Sequence, residues 1–328
     1  MVVLAESFSA GNILLAIMLV LTACGCFLVG INLISKGFVQ ASLNDNSFFT
    51  RSFGARTRIG GLFSGFLHTV VVQSSDVTSV TLVRLCDVGT ITLFQACACI
   101  IGANIGTTVT TFIVSLSGFA YLIPIFSFFA FVGAIPLLSK KKPLRIFGHI
   151  VAGIGVLFIG LQLLEANIEN ESFKYIVGIV FNSTENPLLL VAIGIGLTMI
   201  VQSSSVVTSM VVFLVGASML PLPSALALVV GANIGTCFTS WIAAFGSSKT
   251  ARQTAMFHTF YNVVGAAIFM VVIYTPIKEP ILDWFDALAI NTRFKVAIFH
   301  LIFNLSAALV MIPLLRPSVW FCKKVIRH

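Results

Sequence analysis

Charge is what this chain has least of. Asp, Glu, Lys and Arg make up 9% of its 328 residues, and only 11 are acidic, whereas a soluble domain carries roughly a quarter. An ordinary water-solvated surface is therefore excluded. The sequence contains no Gly-x-Ser-x-Gly elbow and no His-Glu-x-x-His pair, so the commonest local signatures of a serine hydrolase and of a zinc protease are missing. Seven cysteines are scattered, and neither Cys24/Cys26 nor Cys97/Cys99 has a second His or Cys cluster to complete a metal site. They read as small hydrophobes. No basic run precedes the first apolar segment, which has only Glu6 before it and is too long for a signal-peptide core. That segment is expected to remain in the mature chain.

What the chain does have is apolar length. Hydrophobic residues make up 58%, with 30 Phe, and seven segments reach the roughly 20 residues needed to cross hydrocarbon as a helix. They lie at about 10–35, 90–116, 119–138, 146–165, 222–245, 254–275 and 294–314. Two further segments, 59–85 and 188–217, are apolar at their ends and polar in the middle. The expected fold class is an all-α integral membrane protein.

The polar middles are copies of one phrase. Gln73-Ser74-Ser75-Asp76 is followed by Gly102-Ala103-Asn104-Ile105-Gly106-Thr107, and Gln202-Ser203-Ser204-Ser205 by Gly231-Ala232-Asn233-Ile234-Gly235-Thr236, with 29 positions from Gln to Gly in each. The same shift of 129 aligns Gly65 with Gly194, Thr69 with Thr198, Ala96 with Ala225, Ala98 with Ala227 and Thr110 with Thr239. A shift of 130 aligns 27–33 with 157–163. The expected organisation is a first repeat over 1–139, a second over 146–275, and an extra C-terminal helix with a basic tail over 276–328.

Loop charge sets the topology. Basic clusters lie at Lys36/Arg51/Arg56/Arg58, Lys140/Lys141/Lys142/Arg145, Lys249/Arg252 and Lys323/Lys324/Arg327, and acidic ones at Glu165/Glu169/Glu171/Glu185 and Glu279/Asp283/Asp286. If 59–85 and 188–217 are re-entrant hairpins, every basic cluster falls on one side, which the positive-inside rule makes cytoplasmic. If both cross, Lys140 to Lys142 land outside. Hairpins with seven crossings are therefore expected, with the N-terminus outside and the C-terminus in the cytoplasm of a cell membrane. Three crossings precede the second half, so the repeats are inverted, and the hairpins dip toward the midplane from opposite faces.

A helix broken at that depth exposes backbone N–H groups, carbonyls and the positive end of a half-helix dipole. Hydroxyls at such an end favour an oxyanion, and amide and backbone carbonyls favour a monovalent cation. The anion set is Ser74, Ser75, Ser203 and Ser204 with Thr107 and Thr236; the cation set, suited to sodium, is Gln73, Asp76, Thr78, Asn104, Gln202, Ser205, Thr208 and Asn233. Small polar residues also let membrane helices pack closely. Matched spacing in two copies is what favours a site over packing.

The doubled phrase resembles the type II sodium/phosphate cotransporter family, and the likeness runs from about Phe27 to Asn304. That resemblance implies sodium-coupled uptake of inorganic phosphate by alternating access, with no cofactor beyond sodium, in a lipid bilayer; a homodimer is compatible with it, and nucleic acid is not a partner. Bacterial members often append a soluble domain resembling the phosphate-signalling protein PhoU. This chain stops at His328, so such a domain is not expected here. A sodium- or proton-coupled carrier of another small anion and, less favoured, a passive anion channel are the alternatives, and an intramembrane hydrolase is disfavoured because the polar sets come in near-identical pairs.

Asp76 stands where the family usually has Ser. A carboxylate near the midplane needs a partner or an ion: a sodium ion or proton, Arg84, or water. A second echo, 42 positions apart, sets Phe257-His258 and Asn262 against Phe299-His300 and Asn304, which points to a buried polar seam between two helices, with substrate contact as the alternative. His68 and His149 read as structural. Asn170-Glu171-Ser172 and Asn182-Ser183-Thr184 match glycosylation acceptors. The topology is tested by single-cysteine labelling in a cysteine-free background: sites beside Lys141 and Lys249 should be cytoplasmic, and those beside Glu171 and Asp283 external. External labelling beside Lys141 sinks the hairpin arrangement.

Overall fold

The computed structural model describes residues 10–42, 57–119, 121–167, 170–181 and 184–327. Glu6, Arg51, Arg56, Glu169 and the acceptor Asn182-Ser183 lie outside them. The described residues are helical throughout, with no strand among them, as hydrocarbon demands of backbone that cannot bond to water. All seven expected crossings are helices: α1 (Ala10–Ser42), α4 (Leu93–Ser115), α5 (Leu122–Leu137), α6 (Lys142–Glu165), α10 (Leu222–Gly235) running on into α11 (Cys237–Ala244), α12 (Lys249–Ile273) and α14 (Thr292–Met311). Six are long and apolar enough to span a membrane; α5, at 16 residues, is a shorter apolar helix.

Each polar phrase breaks a helix in two. The first gives α2 (Arg58–Val72) and α3 (Ser75–Asp87), the second α8 (Pro187–Val201) and α9 (Ser204–Gly216). At the breaks Gln73 and Gln202 adopt left-handed backbone, φ 56° and 55°, a conformation that costs a side-chain-bearing residue roughly 1 kcal/mol or more. Two serines then cap the second half-helices: Ser74 Oγ accepts from Val77 N at 3.3 Å and Ser203 Oγ from Val206 N at 3.4 Å. Sequence and geometry repeat together.

The glycines of the second phrase explain why the hairpins lie where they do. A Cβ at Gly102 would overlap the Leu62 carbonyl of α2, and one at Gly231 the Val191 carbonyl of α8. Without side chains there, each descending half-helix rests directly on the helix that follows its hairpin. Close packing is thus the work of the glycines, and it brings the hairpin tips to the polar middles of α4 and α10.

Contacts between distant segments separate two faces. On one, Arg58 donates to the carbonyls of Ile312 and Pro313, the Ser248 N–H donates to Asp87 Oδ1 at 2.6 Å, and Gln253 donates to the Ile326 carbonyl. Gly37 of α1 packs on Ile146 and Ile150 of α6, so Lys36 and Lys140 to Lys142 share that face. On the other, Arg293 donates to Ser117 and lies 3.9 Å from Glu165, and Lys295 lies 3.7 Å from Asp286. The described basic clusters gather at the first face and the acidic loops at the second. Hydrogen bonding from the Ser248 backbone holds the Asp87 carboxyl at the first face below the usual carboxylate range.

Three helices escape the sequence reading. α7 (Glu171–Phe181), α13 (Lys278–Ala287) and α15 (Leu315–Val325) are short and amphipathic, and the expected basic tail is largely α15. Its Lys324 sits over the exposed Trp320 ring at 5.0 Å, an arrangement suited to lying in a membrane interface.

The two hairpin exits carry a matched turn with an unmatched residue. Gly89 has φ 72°, and Ser218, its counterpart at a shift of 129, has φ 57°. Ser218→Gly relieves that conformation and should raise the stability of the purified protein by a few tenths of a kcal/mol to about 1 kcal/mol, whereas Gly89→Ser should lower it. Thermal unfolding in detergent measures both; equal shifts of one sign would show that backbone conformation is not what distinguishes the positions.

Candidate functional site

The site is built from the hairpin tips upward, because those are the places where backbone and hydroxyls come free of regular helix. Ser75, Ser204 and Ser205 are buried in the first turns of α3 and α9. Beside them the two halves part company. Gln73 is buried, donates from Nε2 to the Val70 carbonyl and accepts at Oε1 from Thr110 Oγ1 at 3.0 Å. Gln202 is exposed.

The counterpart of Thr110 is Thr239, and it does not bind Gln202. Its hydroxyl lies 3.4 Å from Asp76 Oδ1 of the opposite hairpin, and it also bonds the Thr236 carbonyl at 2.8 Å. The backbone N–H and hydroxyl of Ser204 face the same carboxylate. Asp76 therefore caps the N-terminal end of the other hairpin's half-helix, the place the sequence reading reserved for a substrate oxyanion. Its Oδ2 is buried with no hydrogen-bond partner among the described residues. Arg84 is not its partner: it lies 3.9 Å from Asp87 and bonds Ser247. A cleft of about 410 Å³ lined by Asp76, Thr81, Arg84, Gln202 and Thr239 joins this point to the base of the first hairpin, at the basic face.

Other expected ligands are already committed. Thr78 donates to the Ser74 carbonyl at 2.9 Å and stands 3.0 Å from both Thr69 Oγ1 and His68 Nδ1, which knots the neck of the first hairpin. Thr107 donates to the Ala103 carbonyl, Thr236 to those of Ala232 and Asn233, and Asn104 to that of Ile100. These groups face inward but spend their protons on their own helices. Thr208 is buried in α9. His149 bonds the Arg145 carbonyl.

The histidine echo is resolved differently from the expected seam. Between α12 and α14 the link is Tyr261, whose hydroxyl donates to the Asn304 carbonyl at 2.9 Å. The histidines turn outward to the phrase helices instead: His300 Nδ1 is 2.8 Å from Thr111 Oγ1 and its Nε2 3.2 Å from Asn233 Nδ2, and His258 Nδ1 is 2.8 Å from Ser240 Oγ. Thr111 and Ser240 are counterparts at the repeat shift, so the Nδ1 of each histidine meets the same position in a different half. Thr110, Thr111, Ser240 and the histidine assignments were missed in sequence, although the shift of 129 pairs all the hydroxyls.

The model of the Na+/Pi-cotransporter family matches residues 26–166 and again 165–279. The chain belongs to the Na+/Pi-cotransporter family. Among similar proteins, YqeW of Bacillus subtilis, whose name assigns no activity, is 26% identical over 88% of this chain and 91% of its own. YjbB of Escherichia coli, a candidate inorganic phosphate exporter by name, is 27% identical over 84% of this chain, which spans about half of that relative (52%). Human sodium-dependent phosphate transport protein 2C is 28% identical over 47% of this chain and 28% of its own. No solved structure matches.

The unequal necks give a test. At a shift of 129, Val207 replaces Thr78, and the Thr198 hydroxyl is left buried without a partner among the described residues. Val207→Thr should supply one and stabilise the detergent-solubilised protein by roughly 1 kcal/mol, and Thr78→Val should destabilise it by a similar amount. Thermal unfolding that leaves Thr78→Val unchanged would refute the knot.

Proposed function

We propose that this chain is a secondary active transporter that couples sodium to inorganic phosphate by alternating access. The observation that carries this reading is the Asp76 carboxylate held at the N-terminal end of the opposite hairpin, with one oxygen unpartnered and a cleft beside it. A buried carboxylate attracts a cation and repels phosphate. Sodium bound at Asp76 Oδ2, with Gln202 in reach across the cleft, removes that repulsion, and the hydroxyls and amides of Ser75 and Ser204 then serve the anion. Cation first, anion second is the order this chemistry favours.

The two matches to one family model and the shared left-handed glutamines support inverted repeats over 1–139 and 146–275, as do the hairpin bases, the first holding Ser248 through Asp87 at the basic face and the second packing Gly216 on Arg293 at the other. On that reading the basic face is cytoplasmic and the cleft described above is the inward-facing access route. A carrier with obligatory coupling runs either way as the gradients dictate. Net export is the second reading, favoured by the name of YjbB, and it uses the same site. A proton at Asp76 in place of sodium is the corresponding alternative for the coupling ion.

Flux of labelled phosphate in proteoliposomes, with sodium gradients of either sign, decides among them. Sodium-coupled transport predicts uptake or efflux that follows the sodium gradient and a rise of roughly tenfold or more in the sodium concentration for half-maximal flux in Asp76→Asn, the equivalent of about 1.5–3 kcal/mol for an interaction with a charged group. Equal flux in choline medium excludes sodium coupling. Unchanged sodium dependence in Asp76→Asn removes Asp76 from the site.

A further inference from the structure

The two buried histidines have equivalent settings but unequal bonding. His300 on α14 is satisfied at both nitrogens, by Thr111 of the first half and Asn233 of the second. His258 on α12 holds Ser240 of the second half through Nδ1, and its Nε2 is fully buried without a partner among the described residues. The repeat shift converts Thr111 into Ser240 and Asn233 into Asn104. Hence the group that corresponds to the filled Asn233–His300 contact is Asn104 opposite His258. Asn104 is buried on α4, whose Ile100, Ile101 and Ile105 pack in one cluster with Phe257 and Tyr261 of α12. The amide that corresponds to Asn233 is thus carried by a helix packed against α12.

A buried ring nitrogen left unbonded costs of the order of a lost hydrogen bond, and a difference between counterparts recurs at the hairpin tips. Gln202 likewise lacks the threonine bond that its counterpart Gln73 has. In the pairs His258/His300 and Gln202/Gln73 one member has a bond that its counterpart lacks. Such a pattern is expected when two equivalent halves occupy different conformations and exchange them.

We propose that His258 and His300 are alternating latches: the His300–Asn233 bond holds the state with the basic-face cleft open, and a His258–Asn104 bond replaces it in the state with that cleft closed. This rests on the alternating-access reading above. Both histidines are positioning residues, acting on the helices that carry the hairpins and not on phosphate. The two rings share no bond, so the exchange needs only a shift of α12 and α14 against the phrase helices. Satisfaction of one ring at the expense of the other keeps the two states close in energy.

The test reads conformation, not transport. Thr81 lines the cleft, so the maleimide reaction rate of Thr81→Cys, in a cysteine-free background and sodium-free detergent solution, reports how often the cleft is open. His300→Phe should slow labelling by roughly fivefold or more, the scale of one buried hydrogen bond, and Asn233→Leu should do the same from the other side. His258→Phe and Asn104→Leu should leave the rate unchanged or raise it. Deuterium exchange over α3 in the otherwise native chain, carrying each single substitution, repeats the comparison should the cysteine-free form not fold. A common direction of change in the two histidine variants, or no change in either, overturns the latch. Opposite directions in a chain that moves no phosphate would uphold the latch and reject the transport reading, so the two fail separately.

Discussion

Everything in this molecule depends on the absence of water around its middle. Hydrocarbon leaves the backbone no partner but itself, so a break in a helix there survives only when each freed group finds a bond within the protein. Gln73 and Gln202 sit at such breaks, and their N–H groups bond the carbonyls of Thr69 and Thr198. Ser74 and Ser203 take the next donors. Once these obligations are met, some of the polar groups left over lie at the hairpins and beside them. A carboxylate oxygen on Asp76, the hydroxyls of Ser79 and Ser205 and the Nε2 of His258 are among them.

The same scarcity governs electrostatics. Asp76 is balanced by dipoles, not by a cation, since Arg84 is drawn away to Asp87 and Ser247 near the basic face. Partial charges from a half-helix end and a threonine hydroxyl offset part of the charge and leave an attraction for a small cation. Arg293, buried near the opposite face, is treated otherwise: Ser117, Glu165 and the Phe213 ring surround it. One buried charged side chain keeps an unpartnered oxygen, and the other is fastened.

Much of this was legible in the sequence because hydrophobic length and loop charge are strong signals with a single physical cause. The seven crossings, the positions of both helix breaks and the gathering of basic residues at one face follow from them. The spacing of Gln73 and Gly102 against Gln202 and Gly231 also located the tips. What sequence did not disclose is which of two matching hydroxyls holds which partner. Thr110 and Thr239 are the same residue at the same place, yet one binds Gln73 of its own half and the other faces Asp76 of the opposite half; that choice belongs to a conformation. The short helices α7, α13 and α15 were missed for a different reason. Their amphipathic pattern is weaker than a spanning run, and charges such as Lys323 and Lys324 read equally well as a loop.

The neck of the first hairpin gains its own meaning when set beside that of the second. His68, Thr69 and Thr78 are cross-linked, while Leu197, Thr198 and Val207 at the corresponding places share no such bonds. Two hairpins copied from one pattern therefore differ at the root: the first is cross-linked there by hydroxyl and imidazole, and the second lacks those bonds. A duplicated machine whose two hairpins differ in this way has a built-in polarity, and its two ends need not open with equal ease.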